Sequence, residues 1–268
     1  MALDKPCYIP LKSQNPKFPS IENFLPHYSQ IYNGRLQVVT RSGIGNNMSG
    51  VVLLSKNPQT YDYFLNIYNN SQITEKYIVI LTSEPKMDSG TIQVPIRPMN
   101  CEKRKMMCAP DCSIIYQNRE LVADDVLPAI SDFKVVSMMR PPPTPNTTVY
   151  KNYFSRTRAC VCVFHTSTCF RDQIRVHCSE ILGCHILGDH KYSANSNKPQ
   201  VLSKFMMKML KLENLWNVKN LPVFIHLSQI SFRSPEPPYK QIVIKSPLPE
   251  YFTTCVDLLQ IPHRNYEF

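Results

Sequence analysis

Between Arg171 and Ser193 the chain reads RDQIRVHCSEILGCHILGDHKYS, and this stretch restricts the fold more than any other. Ile174, Cys178 and Ile181 fall at i, i+4 and i+7, which predicts a short helix with one apolar face. Gly183 stands where that helix stops, because glycine enters the left-handed C′ conformation without a Cβ clash. His185 to Asp189 then makes a tight turn containing Gly188, ahead of Tyr192. A buried helix and a turn account for the apolar residues. They do not account for Gln173 and Arg175, an amide and a guanidinium on the first turn of a helix that has to be packed, where an unpartnered polar group is costly.

The flanking sequence alternates short apolar runs with turn residues. Strands are predicted at 36–40, 51–54, 76–82, 90–96, 133–138 and 159–164. Two more, at 224–230 and 242–244, are predicted as a hairpin around the Pro235–Pro238 loop. Asn57-Pro58 opens a helix, Asn as its cap and Pro in its first turn, and Tyr61, Phe64, Leu65 and Tyr68 give it an apolar face. A Met-rich helix is predicted over 201–212, with Leu202, Phe205, Met206, Met209 and Leu210 inward and Lys204, Lys208 and Lys211 outward. Shorter helices are expected at 21–25 and 120–127. Hairpins outnumber crossovers, so the expected class is α+β, built on a mixed, largely antiparallel sheet. Residues 1–35 are Pro-rich and expected to be irregular, with 36–268 forming a single domain in two halves. Asn100–Asn118, with Lys103, Arg104 and Lys105, reads as an insertion, and Pro141–Pro145 as a stiff exposed loop. The tail from Pro247 carries no assignment.

Net charge is +10, from 30 basic and 20 acidic residues, which favours a polyanionic partner because each neutralised phosphate releases counterions. No apolar run approaches the roughly 20 residues that span a bilayer, and no secretory signal is visible. Of the ten cysteines, Cys160, Cys162, Cys178 and Cys255 sit in apolar segments as small core residues, which fits a reducing compartment. Cys101, Cys108 and Cys112 are spaced C-x6-C-x3-C, unlike familiar zinc patterns, so no metal or other cofactor is expected. Gly43, Gly45 and Gly50 concentrate three glycines in eight residues between two strands, permitting backbone shapes closed to other residues.

Seven stretches resemble one family in the right order. QIRVH at Gln173–His177 followed by LGDHKY at Leu187–Tyr192 is similar to the HQIRVH and GDPLY motifs of the pseudouridine synthases related to RluA and RsuA. Arg41–Lys56, RSGIGNNMSGVVLLSK, resembles their catalytic loop HRLDxxTSGLLLLAK. Lys76-Tyr77 before Ile78-Val79-Ile80 resembles KxYxALV, and Leu3-Asp4-Lys5-Pro6 resembles the opening NKPxG. Phe224–Leu227 and Pro247–Phe252 resemble the closing LHA and PLP segments. The resemblance covers nearly the whole chain and is strongest to a mitochondrial branch, the type called RNA pseudouridylate synthase domain-containing protein 3.

The resemblance implies a pseudouridine synthase fold with flanking helices and a central cleft, and RNA as partner. It also implies isomerisation of uridine to pseudouridine in mitochondrial mRNA or rRNA, in the mitochondrial matrix. No import presequence is visible, so the targeting signal is expected upstream, in a start that is incomplete, or in cryptic form. By the same resemblance Tyr77 would stack on the uracil and Ile174 would line the floor of its site. Arg175 would pair with the catalytic Asp. Gly45 stands at that Asp position and has no side chain with which to attack sugar or base. Arg175 is therefore expected to find water, another acid or a substrate phosphate. Asp172, in the family's His position, is expected to point to a different side from Arg175, and Asp189 to cap its turn. Lys76, Lys103, Arg104 and Lys105 are candidate RNA contacts. The alternative to an enzyme is a catalytically inactive RNA-binding factor in mitochondrial RNA maturation or ribosome assembly, working with RNA-granule or assembly proteins. A third, an assembly factor with a vestigial pocket, would not gather positive charge near Tyr77 and Arg175.

Overall fold

Two neighbouring strands, β4 (Thr74–Leu81) and β9 (Cys160–Thr166), form the middle of the computed structural model, which describes residues 1–13, 18–40, 44–99, 105–110, 126–140, 158–193 and 198–263. Their side chains alternate between two cores. Tyr77, Val79, Leu81, Cys160, Cys162 and Phe164 enter one; Ile78, Ile80, Val161 and Val163 enter the other. Because both faces are covered, these strands read as continuous apolar runs instead of alternating with polar residues.

The nine-stranded sheet runs β1 (Ala2–Lys5), β3 (Ser49–Ser55), β10 (Ile225–Arg233), β4, β9, β8 (Ile130–Met138), β5 (Ser89–Gln93). β11 (Gln241–Lys245) pairs with β10, and β2 (Gln37–Val38) with β3. The pairings are antiparallel except one: β3 and β10 run parallel, Ser49-Gly50 against His226-Leu227. At that junction Gly50 has φ +133°, and a Cβ there would lie 2.4 Å from the Leu227 carbonyl oxygen, so only glycine fits. A second, two-stranded sheet joins β6 (Ile96–Pro98) to β7 (Met106–Cys108).

On the first face lie α1 (Ile21–Ile31) and α2 (Pro58–Asn69), contributing Leu25, Phe64, Ile67 and Tyr68 to the core. The Asn57 side chain accepts from the Thr60 amide, as its cap position predicts. On the second face lie α4 (Lys204–Met209), α5 (Leu215–Lys219) and α6 (Glu250–Leu258), contributing Met206, Val218, Phe252 and Val256. The remaining helix, α3 (Gln173–Val176), widens into a π-helical turn over His177–Ile181.

The α+β class and the mixed, mostly antiparallel sheet are as expected; three local expectations are not, and the tail, left without an assignment, acquires one. The first residues are not irregular: Ala2–Lys5 pairs with β3 from Leu53 to Gly50, a strand too short and too charged to show a pattern of its own. The tail is helical, with Phe252, Cys255, Val256 and Leu259 buried at helical spacing behind Pro249 and Glu250. The Met-rich helix starts only at Lys204, where Ser203 accepts from the Met206 amide and caps it. Ile181 is 41% exposed, because the π turn adds a residue and rotates it off the face that buries Ile174 and Cys178. The helix expected at 120–127 lies largely, and the 141–145 loop entirely, outside the described residues, as do Cys101 and Cys112.

Candidate active-site cleft

The loop ahead of β3 forms one wall of the cleft. Its Asn46 carbonyl accepts from the Tyr8 amide at 2.9 Å and lies 3.4 Å from Lys5 Nζ. Lys5 is buried and also donates to the carbonyls of Pro6 and Ile9, at 2.9 and 2.7 Å. Burial lowers its pKa to about 8. The lysine of the NKP-like opening thus fastens the N-terminal turn beneath the loop. Within the loop the Gly45 amide points at Met48 Sδ, 3.3 Å away.

The opposite wall is α3, and Gln173 explains why it sits there. Its Nε2 donates to the Ile130 carbonyl and Ser131 Oγ, both at 2.9 Å, and its Oε1 accepts from the Phe170 amide at 3.2 Å. The amide therefore ties the helix start to β8, a structural duty. Arg175 is then aimed at two acids. Its Nε and Nη2 donate to the two oxygens of Asp189 at 2.8 and 2.7 Å, and its Nη1 to Asp172 at 2.7 Å. The side chains are 13% exposed for Arg175 and 1% for Asp189. Burial works against the guanidinium's charge, but Asp189 and Asp172 outweigh it and raise its pKa. Burial likewise opposes the charge on Asp172, but Arg175 and Lys191 outweigh it and hold that carboxyl below its usual range.

Asp172 therefore does not point away from Arg175 as expected. It takes a left-handed conformation, φ 58°, immediately before the helix, and at i−3 its carboxylate reaches back onto Arg175. Its other oxygen accepts from Lys191 Nζ and the Tyr192 hydroxyl. Asp189 caps its turn, accepting from the amides of Lys191 and Tyr192 at 3.2 Å, and holds Arg175 as well. Tyr192 lies beneath three cations, with Arg175, Lys191 and Lys105 at 5.0, 5.2 and 5.6 Å from its ring centre. Of the outcomes open to Arg175, the described residues supply the second: other acids.

Tyr77 and Ile174 are brought to the same place as Arg175, together with Met48 and Ile225. The space they share is about 10 Å³, room for about one water and no nucleobase. Tyr77 is 2% exposed, and its hydroxyl donates to Glu75, a fully buried carboxyl that also accepts from Tyr68 at 3.1 Å. Burial raises the pKa of Glu75, against the pull of those tyrosines. The nucleobase-sized slot expected between Tyr77 and Arg175 is therefore closed. Met48, 3% exposed, lines this space together with Tyr77 and stands where the family motif has a threonine.

Outside Met48 the cleft opens to about 550 Å³, lined by Gly45, Asn46, Asn47 and Met48 on one side and by Lys105, Arg171, Arg175, His190 and Lys191 on the other. None of its described lining residues is a carboxylate. Lys105, Arg171, Arg175 and Lys191 line it, and among the described residues Asp172 pairs with the last three and Asp189 with Arg175, so four cations meet two acids and the cleft is positive. Lys105 reaches it; Lys76 lies on β4, half-buried; Lys103 and Arg104, like Arg41, Ser42 and Gly43, lie outside the described residues. Met48, Lys191 and the paired role of Asp172 escaped sequence reasoning. The threonine-to-methionine change was a visible signal for the first. A groove of about 750 Å³ between α1 and β2 is larger but contains none of the predicted site residues.

Known proteins share the fold and the sequence motifs. A family model described as RNA pseudouridylate synthase matches residues 1–180. Pseudouridylate synthase RPUSD4, mitochondrial, of Bos taurus is 24% identical over 273 residues, covering 99% of this chain and 69% of that protein. Mitochondrial mRNA pseudouridine synthase RPUSD3 of Bos taurus is 23% identical over 285 residues, covering 98% and 76%. The RPUSD4 match is the stronger, so the branch suggested by the motifs is corrected in that direction. The solved structure of Human RNA Pseudouridylate Synthase Domain Containing 4 superposes with a TM-score of 0.76 at 23% identity, over 98% of this chain and 91% of that one. With the motifs in order, the sheet shared and the family model spanning most of its length, the chain belongs to the RNA pseudouridylate synthase family.

Proposed function

We propose that this protein binds RNA in the positive cleft beside Gly45 and does not isomerise uridine. The observation that carries this is the polar wall itself. Each nitrogen of Arg175, the partner of the family's nucleophile, donates to Asp189 or Asp172, and among the described residues the lining of the cleft at Gly45 includes no carboxylate, Asp172 lining instead the small space between Tyr77 and Arg175. A residue acting as nucleophile typically contributes roughly 10^4 to 10^6 in rate, which an amide at Asn46 or Asn47 cannot replace. Met48 adds a second obstacle, because a flipped uracil has no space in front of Tyr77. RNA binding draws on Lys105 and Lys191, point charges suited to phosphates, and on Arg171, whose planar fork can hold a phosphate with two hydrogen bonds. Three phosphate contacts on a single strand give a salt slope of about −2. The relatives' names carry the word mitochondrial, which supports a mitochondrial RNA as the partner.

The test is release of tritium from 5-tritiated uridine in mitochondrial RNA transcripts. The purified wild-type chain should bind these transcripts with that salt slope and release no tritium above background. Turnover that scales with wild-type protein overturns the proposal in favour of an enzyme using a carboxylate from elsewhere. In cells lacking the protein, pseudouridine maps should stay unchanged while levels of its bound RNA shift.

A further inference from the structure

The cleft has a neighbour that the family motifs do not include. α5 buries Val218 completely but presents Leu215, Trp216 and Lys219 to solvent. Trp216 is 68% exposed and is the chain's single tryptophan. The Lys219 ammonium lies 5.0 Å from the centre of its ring. An indole left in water with a cation on it contributes nothing to the core, yet it is a ready stacking surface for a base whose phosphate the cation can hold.

The helix end is tethered to the cleft from two directions. Tyr8 donates its amide to the Asn46 carbonyl, in the cleft loop, and its hydroxyl to the Asn220 carbonyl, at the end of α5, both at 2.9 Å. Tyr8 is 54% exposed and held at φ 68°, a left-handed conformation that costs a bulky residue free energy and calls for a reason. Gly188, on the cleft floor, has φ 78°, and a Cβ there would lie 1.8 Å from the Pro222 carbonyl oxygen, just beyond α5. Cleft loop, Tyr8, α5 and cleft floor therefore form one continuous rim.

We infer that Trp216, with Lys219 and Tyr8, is a stacking platform for an unpaired nucleotide of single-stranded RNA flanking the segment held in the cleft. This rests on the RNA-binding function proposed above. It adds the strand's exit path and a requirement for unpaired bases. The positive neighbourhood selects RNA over an acidic-residue-poor protein surface, and an exposed π-face selects a single strand over a duplex whose bases are already stacked.

The lone tryptophan makes this directly readable. The full chain is titrated with an oligouridylate of about 16 nucleotides, following Trp216 emission and, separately, the anisotropy of labelled RNA. Saturable quenching should track binding, whereas heparin, a polyanion without bases, should bind without quenching. Trp216→Ala should weaken oligouridylate binding about five- to a hundred-fold and Trp216→Phe by no more than about threefold. Phe24→Ala, at an exposed aromatic on α1, should leave it unchanged. Anisotropy binding without quenching, and with Trp216→Ala equal to wild type, overturns the platform while RNA binding stands. Absence of binding by either readout at low salt overturns both.

Discussion

The two walls of the cleft differ in how completely they are specified. The α3 wall is a closed polar network: every Arg175 nitrogen that donates has a carboxylate oxygen, and Asp172 is shared with Lys191 and Tyr192. The Gly45 wall offers fewer contacts among the described residues, where a Cβ at Gly45 would meet only Met48 Sδ, at 3.5 Å. A family can lose the group that does chemistry and keep the network that once oriented it, when that network also holds the fold together. Breaking the comparison starts on the full wall. Arg175→Ala leaves the buried Asp189 carboxylate without its cation, while Asp172 keeps Lys191, and should cost about 3–5 kcal/mol or prevent folding. Chemical denaturation measures it; a cost under about 1 kcal/mol would mean the ion pairs are dispensable.

The sheet behind that wall gives the next effect, through pH. His177 is fully buried, with Nδ1 against Ser131 Oγ and Nε2 against the Val94 carbonyl, both at 3.0 Å. Burial lowers its pKa to about 4, against an ordinary value of 6.5. The unfolded chain then binds a proton that the folded chain refuses. The stabilisation is complete above pH 6.5 and is lost as pH falls toward 4, about 3 kcal/mol from this residue. His226, also buried and lowered, acts in the same direction. Asp172, held below the usual carboxylate range, withdraws its contribution only at lower pH still. Unfolding free energies at several pH values between 7 and 4 should fall with this sign, and a flat profile would remove His177 from the account.

Much of the scaffold was legible because both faces of the sheet are covered. Continuous runs such as Cys160–Phe164 and Val51–Leu54 leave few alternatives to a buried strand, and Asn57-Pro58 is a helix start by local chemistry alone. Tyr77, Ile174 and Arg175 were legible as neighbours because motif order fixes which elements meet. What they do together was not. Whether Arg175 would find another acid depended on Asp172 entering a left-handed conformation, which no periodicity signals. The fate of Gln173 depended on carbonyls and hydroxyls of β8, more than forty positions away in the chain. β1 was missed for a related reason: four residues acquire strand character from β3, not from their own pattern.

The smallest effects sharpen the comparison most, because they concern the Gly45 wall. Met48→Ala removes a buried side chain and should cost about 2 kcal/mol or more, while enlarging the space in front of Tyr77. Gly45→Asp should be close to neutral, within about 0.5 kcal/mol. Its backbone lies outside the left-handed region, and the contact with Met48 Sδ is an ordinary one. A new carboxylate there would face Lys105, Arg171 and Lys191 across the cleft, so its charge is favoured and RNA binding should weaken slightly as phosphates lose their cations. Gly45→Asp alone should still release no tritium from 5-tritiated uridine, since Met48 keeps the base out. Gly45→Asp combined with Met48→Thr restores both acid and space, and should release it measurably. Activity in the single variant would show that Met48 moves aside. Inactivity in a folded double variant would place the remaining defect in the Arg175 wall, whose cation is already committed to Asp189 and Asp172.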